Sequence, residues 1–246
     1  MTREIMDIKE LANYLGFSET KIYRLVEDRR IPFARIGRQY RFVKSAIDEW
    51  LTNQAKGETP YRSDLEQVNS EPDPLTRRLL LVGLLTKELE PQGIKPVIVG
   101  GQAVEFYTVG GYATKDIDLV SPRADAIGDI LVKWGFGKEG RFWFNDDLGI
   151  SIEVPSAVLA GDMDKGTVVE IDNLKVYVIG IEDIIIDRMN AFVHWKSSDD
   201  RAWAKELMML NKDDIDWNYL EKRAAEDKTL KETKKLEKEI QSSENS

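Results

Sequence analysis

Four residues of this 246-residue chain carry its most specific chemistry: Gly100, Gly101, Asp116 and Asp118. A short apolar run, Val97-Ile98-Val99, leads into the glycines, and Gln102 to Val109 reads as a helix. The aspartates sit in a second apolar run, Ile117-Asp118-Leu119-Val120. Side chains alternate along a strand, so Asp116 and Asp118 share one face while Ile117 and Leu119 take the other. Two neighbouring carboxylates repel at neutral pH unless a cation lies between them. Mg²⁺ suits that place, because it takes oxygen ligands and leaves room for substrate phosphates. Glycines at a strand-to-helix junction let backbone amides approach a phosphate chain, whose charge the helix N-terminus favours. Phosphates on one side and metal carboxylates on the other predict a site for moving a nucleotide.

This arrangement resembles the nucleotidyltransferase superfamily of the polymerase-β type, with its Gly-Gly or Gly-Ser, spacer, and Asp-x-Asp or Asp-x-Glu. Residues 95–210 look closest to the minimal bacterial branch that includes abortive-infection and toxin–antitoxin nucleotidyltransferases. The string Thr114-Lys115-Asp116-Ile117-Asp118 is similar to one found there. The resemblance implies a nucleoside triphosphate donor and two Mg²⁺ ions, with Gly100, Gly101, Thr114 and Lys115 at the nucleotide. It also implies a third carboxylate on a later strand. Ile150-Ser151-Ile152-Glu153-Val154 alternates correctly and places Glu153 on the polar face. One polar residue on a half-exposed hairpin is the plainer reading of Glu153. The string Ile181 to Arg188, followed by His194-Trp195-Lys196, resembles the C-terminal helices of the same proteins. Arg188 and Lys196 are therefore candidates for phosphate contact, against the alternative of long side chains lying along a helix surface. His194 reads as a packing residue, and Asp183, Asp199 and Asp200 as helix caps.

These elements need a chain that can build a core around them. At this length there is room for one large domain or two small ones. The absence of cysteine excludes a disulfide framework and thiol chemistry, and a single histidine excludes poly-histidine metal sites. No apolar run approaches the roughly 20 residues of a membrane helix, and the N-terminus lacks the apolar core of a signal peptide. The expectation is a soluble, cytoplasmic protein without a membrane partner. The net charge of −9 is uneven: residues 1–52 hold ten Lys and Arg against eight Asp and Glu, and the rest twenty-five against thirty-six. Nucleic-acid contact is expected to be local to the basic N-terminal module.

That module has its own pattern. Ile8, Leu11, Ala12 and Leu15 recur at helical spacing, and Gly16 ends the helix. Ser18 is suited to cap a second helix that turns Ile22, Leu25 and Val26 inward. Glu19, Thr20, Lys21, Tyr23 and Arg24 are left outward, a polar set suited to a major groove. Beyond Pro32, two short apolar runs flank Gly37-Arg38-Gln39 as a hairpin with a basic tip. Ser45 is placed to cap a last helix closed by Ile47, Trp50 and Leu51. This order resembles the excisionase and MerR-type DNA-binding domains, notably in Ile8 to Gly16, Lys21 to Leu25 and Ala46 to Leu51. Arg29, Arg30, Arg35, Arg38 and Arg41 concentrate positive charge around one hairpin, which favours phosphate contact. The expected contacts to duplex DNA are Ser18, Thr20, Lys21, Tyr23, Arg24, Arg35, Arg38, Gln39 and Arg41.

The expected organisation is an α+β chain. A winged helix-turn-helix occupies residues 1–52 and a polar linker 53–74. A mixed-sheet nucleotidyltransferase domain with C-terminal helices spans 75–212, and a charged helical or disordered tail 213–246. The expected function is Mg²⁺-dependent transfer of a nucleotide to an RNA, protein or small-molecule acceptor by a DNA-binding protein. A toxin–antitoxin or phage-defence setting fits that function, and a homodimer is allowed. The alternative is a transcription regulator whose second domain only senses nucleotide or binds a partner.

Overall fold

The computed structural model describes residues 5–27, 31–37, 39–55 and 62–244, so Arg29, Arg30 and Arg38 lie outside the described residues. The chain divides into two compact units, residues 1–64 and 65–246. The first opens with β1 (Ile5–Met6), α1 (Ile8–Leu15) and α2 (Glu19–Glu27). It continues with β2 (Ala34–Ile36), β3 (Gln39–Val43) and α3 (Lys44–Ala55). Asp7 and Glu10 close a reciprocal capping box on α1, and Gly16 ends it in the left-handed conformation at φ 66°. The Lys21 backbone N–H donates to Ser18 Oγ at 3.3 Å, which makes Ser18 the cap expected for α2. Leu11, Ile22, Phe42 and Ile47 are fully buried and form the centre of this small core. The β2–β3 hairpin is joined by β1, giving the order β1-β3-β2 with Met6 opposite Phe42. Ser45 lies inside the first turn of α3 rather than capping it.

The second unit begins within α4 (Arg62–Ser70) and runs into α5 (Pro74–Leu89). The linker reading is thereby corrected in its second half. Val68 of α4 is buried, and Gln67 Nε2 donates to Asp172 Oδ2 at 3.3 Å. Asp73 caps α5, with Pro74 in its first turn. This helix is buried on nearly every side, at Leu79 to Val82, Leu84, Leu85 and Leu89, rather than along one stripe.

Seven strands follow. They are β4 (Val97–Val99), β5 (Asp116–Val120), β6 (Gly137–Glu139), β7 (Phe142–Asn145), β8 (Ile150–Ser156), β9 (Thr167–Ile171) and β10 (Leu174–Val178). Their order across the mixed sheet is β6-β7-β8-β5-β4-β10-β9. Helix α6 (Gly100–Tyr107) joins β4 to β5, and α7 (Ala124–Lys133) follows β5. One face of the sheet packs on α5 and α7 through close contacts that glycine permits. A β-carbon on Gly83 would lie 2.8 Å from Leu174 Cβ, and one on Gly128 2.7 Å from Trp143. Ile98, Ile117, Leu119 and Ile152 are buried on that face, so the aspartates of β5 belong to the opposite one.

Four helices complete the unit: α8 (Ile181–Trp195), α9 (Ser198–Leu210), α10 (Trp217–Glu226) and α11 (Leu230–Glu244). The tail reading is corrected here. Leu220 and Ala224 of α10 and Leu236 and Ile240 of α11 are buried, together with Thr229 and Thr233. Thr233 Oγ1 donates to the Thr229 carbonyl at 3.1 Å, so its hydroxyl is satisfied inside the helix while its methyl joins the apolar stripe. Asp183 is no cap either. Its buried carboxylate lies 3.1 Å from Arg223 Nε, and it accepts from Tyr219 and from the Asp162 backbone N–H, tying α10 and the 160–162 loop to α8. Ser197, and neither Asp199 nor Asp200, caps α9.

Candidate active site and nucleic-acid face

Gly100 leaves β4 with φ +59°, in the left-handed region that favours glycine. A side chain there would also overlap the Asp118 carboxylate. Gly101 gives the next close approach: a β-carbon on it would lie 3.1 Å from the Tyr112 ring and 3.4 Å from Thr114 Oγ1. The Gly101 backbone N–H donates to Asp118. Val99 provides no side-chain cap to α6, so other first-turn amides are left for an anion. Thr114 makes a local turn with Asp116, whose backbone N–H donates to Thr114 Oγ1 at 3.3 Å. Lys115 is exposed beside it.

Strands β5 and β8 run parallel with Asp118 opposite Glu153 and Asp116 opposite Ser151. The three predicted carboxylates therefore share one face of two neighbouring strands. Asp116 accepts a short hydrogen bond from Ser151 Oγ. Glu153 is almost fully buried and ion-paired with the exposed Arg141, Nε to Oε1 3.2 Å. Burial pushes the Asp118 carboxyl above its usual range, and the charges of Glu153 and Asp116 push it further. The Gly101 N–H and the positive charge of Arg188 pull it back. Among the described residues no three acidic or histidine side chains converge into a ready-made metal cage. Mg²⁺ rarely uses one: one or two carboxylates supplemented by substrate phosphates and water are its ordinary protein site. The repulsion at Asp118 and the all-oxygen donor set fit such an ion.

Arg188 on α8 is half-buried and held by Asp187 and by Asp200 of α9, Nη1 to Oδ1 2.8 Å. It acts electrostatically on both Asp118 and Tyr112. The Tyr112 ring meets Trp203 of α9 edge-on, centroids 4.9 Å apart, and so links α9 to the glycine turn. Lys196 is not brought to this group. It ends α8 in the left-handed conformation, two turns beyond Arg188, and is exposed. His194 is also exposed rather than packed, with Nε2 3.1 Å from the Asp227 carbonyl oxygen, and Trp195 is 77% exposed. Ser151 and Arg141 were not singled out in the sequence. Ser151 alternates with Glu153 on one strand, the signal that places them side by side.

In the first unit, Ser18, Thr20, Lys21, Tyr23 and Arg24 are exposed along α2, with Arg35 and Gln39 exposed on the wing. The Tyr23 and Tyr40 rings meet edge-on at 6.4 Å, linking α2 to β3. Lys21 Nζ lies 4.3 Å from the Phe17 ring. Arg41 is partly folded back, donating from Nη1 to the Tyr40 carbonyl at 2.9 Å and from Nη2 to Gln39.

Comparison with known proteins adds five findings. A helix-turn-helix domain profile matches residues 5–55. The profile of a family described as nucleotidyltransferase of unknown function (DUF6036) matches residues 78–244. An antigenic nucleotidyltransferase-like protein from Paracoccidioides brasiliensis is similar at 19% identity and TM-score 0.41, over 65% of this chain and 93% of that one. The solution structure of the antibiotic-resistance factor ANT(2'')-Ia is similar at 16% identity and TM-score 0.42, over 66% and 91%. No curated protein sequence matches the chain.

Proposed function

The chain belongs to this nucleotidyltransferase family, with a DNA-binding helix-turn-helix domain ahead of it, and from that premise we propose that its second unit is a Mg²⁺-dependent transferase. One observation supports this above the others: Asp118 and Glu153 face each other in register across β5 and β8, while the Gly100 turn lies against Asp118. In this reading the uncapped first turn of α6 seats the triphosphate by its free amides, and Thr114, Lys115 and Arg188 add polar and positive groups. Lys196, far along α8, has no part in it. Asp116, Asp118 and Glu153 would hold the metal, which when bound neutralises charge on the attacking and leaving oxygens. An acceptor hydroxyl attacks the α-phosphorus, the bond to the β-phosphate oxygen breaks, and pyrophosphate leaves. Glu153 accepts the hydroxyl proton, for which Arg141 must move from its carboxylate.

The acceptor is an RNA, a protein or a small-molecule hydroxyl. A toxin–antitoxin or phage-defence role rests on the likeness of the Thr114 to Asp118 string. A nucleotide-sensing regulator is the second reading, and the Arg141–Glu153 pair favours it, because it already satisfies the carboxylate without a metal. Incubating the full chain with labelled nucleoside triphosphates, Mg²⁺ and total cell extract separates the two. Transfer of label that vanishes in Asp118→Asn supports the transferase. No transfer, with nucleotide altering DNA affinity, supports the sensor.

A further inference from the structure

A groove of about 820 Å³ runs between α9 and α11, lined by Lys205, Lys231, Lys234, Lys235 and Lys238 around the single carboxylate Glu239. Such a concentration of positive charge is unexpected in a chain of net charge −9 whose acidic excess lies entirely outside the N-terminal module. Lys231, Lys234, Lys235 and Lys238 recur at three- and four-residue spacing, so they form one ridge of α11 about 10 Å long. The buried stripe of Thr233, Leu236 and Ile240 anchors that helix and holds the ridge in place. Arg201 of α9 reaches across to Glu239, with Nη2 2.8 Å from both carboxylate oxygens. Lys205 and Lys235 act on the same carboxylate. Lys234 is paired with Glu221 at 2.7 Å and Lys235 more loosely with Glu232 at 3.9 Å, which leaves the groove with a net positive surface.

The groove and the Arg188 ion pair share helix α9. Asp200 and Arg201 are consecutive on α9: the first holds Arg188, whose charge acts on Asp118, and the second holds Glu239 at the groove. We infer that this groove binds the sugar–phosphate backbone of a single-stranded RNA. The lining decides the class of ligand. It has no aromatic or aliphatic side chain, whereas protein interfaces are enriched in aromatics and depleted in lysine. Lysine ammonium groups are point charges that meet phosphates without reading bases. A flexible single strand can lay successive phosphates along an open ridge of this length, and free single strands in cells are chiefly RNA. The further statement that this strand is the transferase acceptor, led along α9 to Glu153, rests on the function proposed above.

The test measures binding without nucleotide, so an inactive transferase leaves it intact. A fluorescent single-stranded RNA dodecamer is titrated into the full chain while unlabelled duplex DNA saturates the N-terminal module. Replacing Lys205, Lys231, Lys235 and Lys238 together by Gln should weaken RNA binding at least tenfold. The slope of log affinity against log salt should fall in magnitude by about 3, at roughly 0.7 per lost phosphate contact. Circular dichroism and melting should match wild type, because Lys231, Lys235 and Lys238 are exposed, Lys205 is half-exposed, and none of the four belongs to the core. Lys133→Gln with Lys222→Gln, exposed lysines outside the groove, should change neither quantity. Unchanged RNA affinity in the four-lysine variant, or an equal loss in the control variant, overturns the assignment. So does tighter binding of the matching DNA dodecamer, or of a polyglutamate peptide. A variant that loses RNA binding but still labels a small acceptor places RNA in the groove and removes it from the transfer reaction.

Discussion

Gly100, at the turn from β4 into α6, and Asp118 on the neighbouring strand β5 occupy adjoining space, so that the room for the Asp118 carboxylate is the missing side chain of Gly100. The backbone at Gly100 is left-handed as well, so any replacement meets two obstacles. Gly100→Ala should cost about 1–2 kcal/mol for the backbone alone, with more for displacing Asp118. Melting of the metal-free protein should fall, and label transfer should be lost even at saturating nucleotide. Wild-type transfer by this variant would detach the turn from the chemistry.

Asp118 should make the metal-free protein sensitive to pH. Its folded carboxyl binds a proton more tightly than in the unfolded chain, through burial and the charges of Glu153 and Asp116. Stability contributed by this group is present below the ordinary aspartate value and is lost as pH rises toward the raised one. Asp118→Asn should therefore melt at or above the wild-type temperature at pH 7 without metal. Mg²⁺ with nucleoside triphosphate should raise the wild-type melting temperature and leave the variant unmoved. Equal stabilisation of both would exclude Asp118 as a ligand.

The Asp183 carboxylate has a structural duty that can be separated from the site. Removing it leaves Arg223 with only Glu226 and the Ala160 carbonyl, and takes the acceptor from the Tyr219 hydroxyl and the Asp162 amide. Asp183→Ala should lower unfolding free energy by about 3 kcal/mol, measured by urea denaturation. Nucleotide affinity below the unfolding range should be retained.

For the first unit, Arg35→Ala with Arg41→Ala should weaken duplex DNA binding for every sequence alike. The salt slope should drop by about 0.9 for each phosphate contact removed. Lys21→Ala or Arg24→Ala should instead change the preferred sequence, since both are exposed on the helix suited to a major groove. Uniform loss in the Lys21 and Arg24 variants as well, read from a randomised-site selection, would mean that α2 only positions the module.

Much of this site was legible because it lies on strands. Alternation places Asp116 and Asp118 on one face and Glu153 with Ser151 on another strand, and strand pairing brings the two pairs together. What alternation cannot show is the partner supplied by a neighbouring strand, and so the hold of Arg141 on Glu153 was not legible. The C-terminal helices were misjudged for a different reason. Thr229 and Thr233 read as polar, yet their hydroxyls are satisfied within their own backbone, and they complete the stripe that Leu236 and Ile240 begin. The basic groove was hidden because its charge belongs to two helices, α9 and α11, neither of which is strongly basic alone.

The edge-on contact between Tyr112 and Trp203 gives the molecule an optical probe of its own glycine turn. Tyr112 borders Gly101, so anything that settles on that turn and shifts the tyrosine ring alters the surroundings of the indole. With the other tryptophans replaced by phenylalanine, emission from Trp203 would report occupancy in real time, with no label attached and no turnover required.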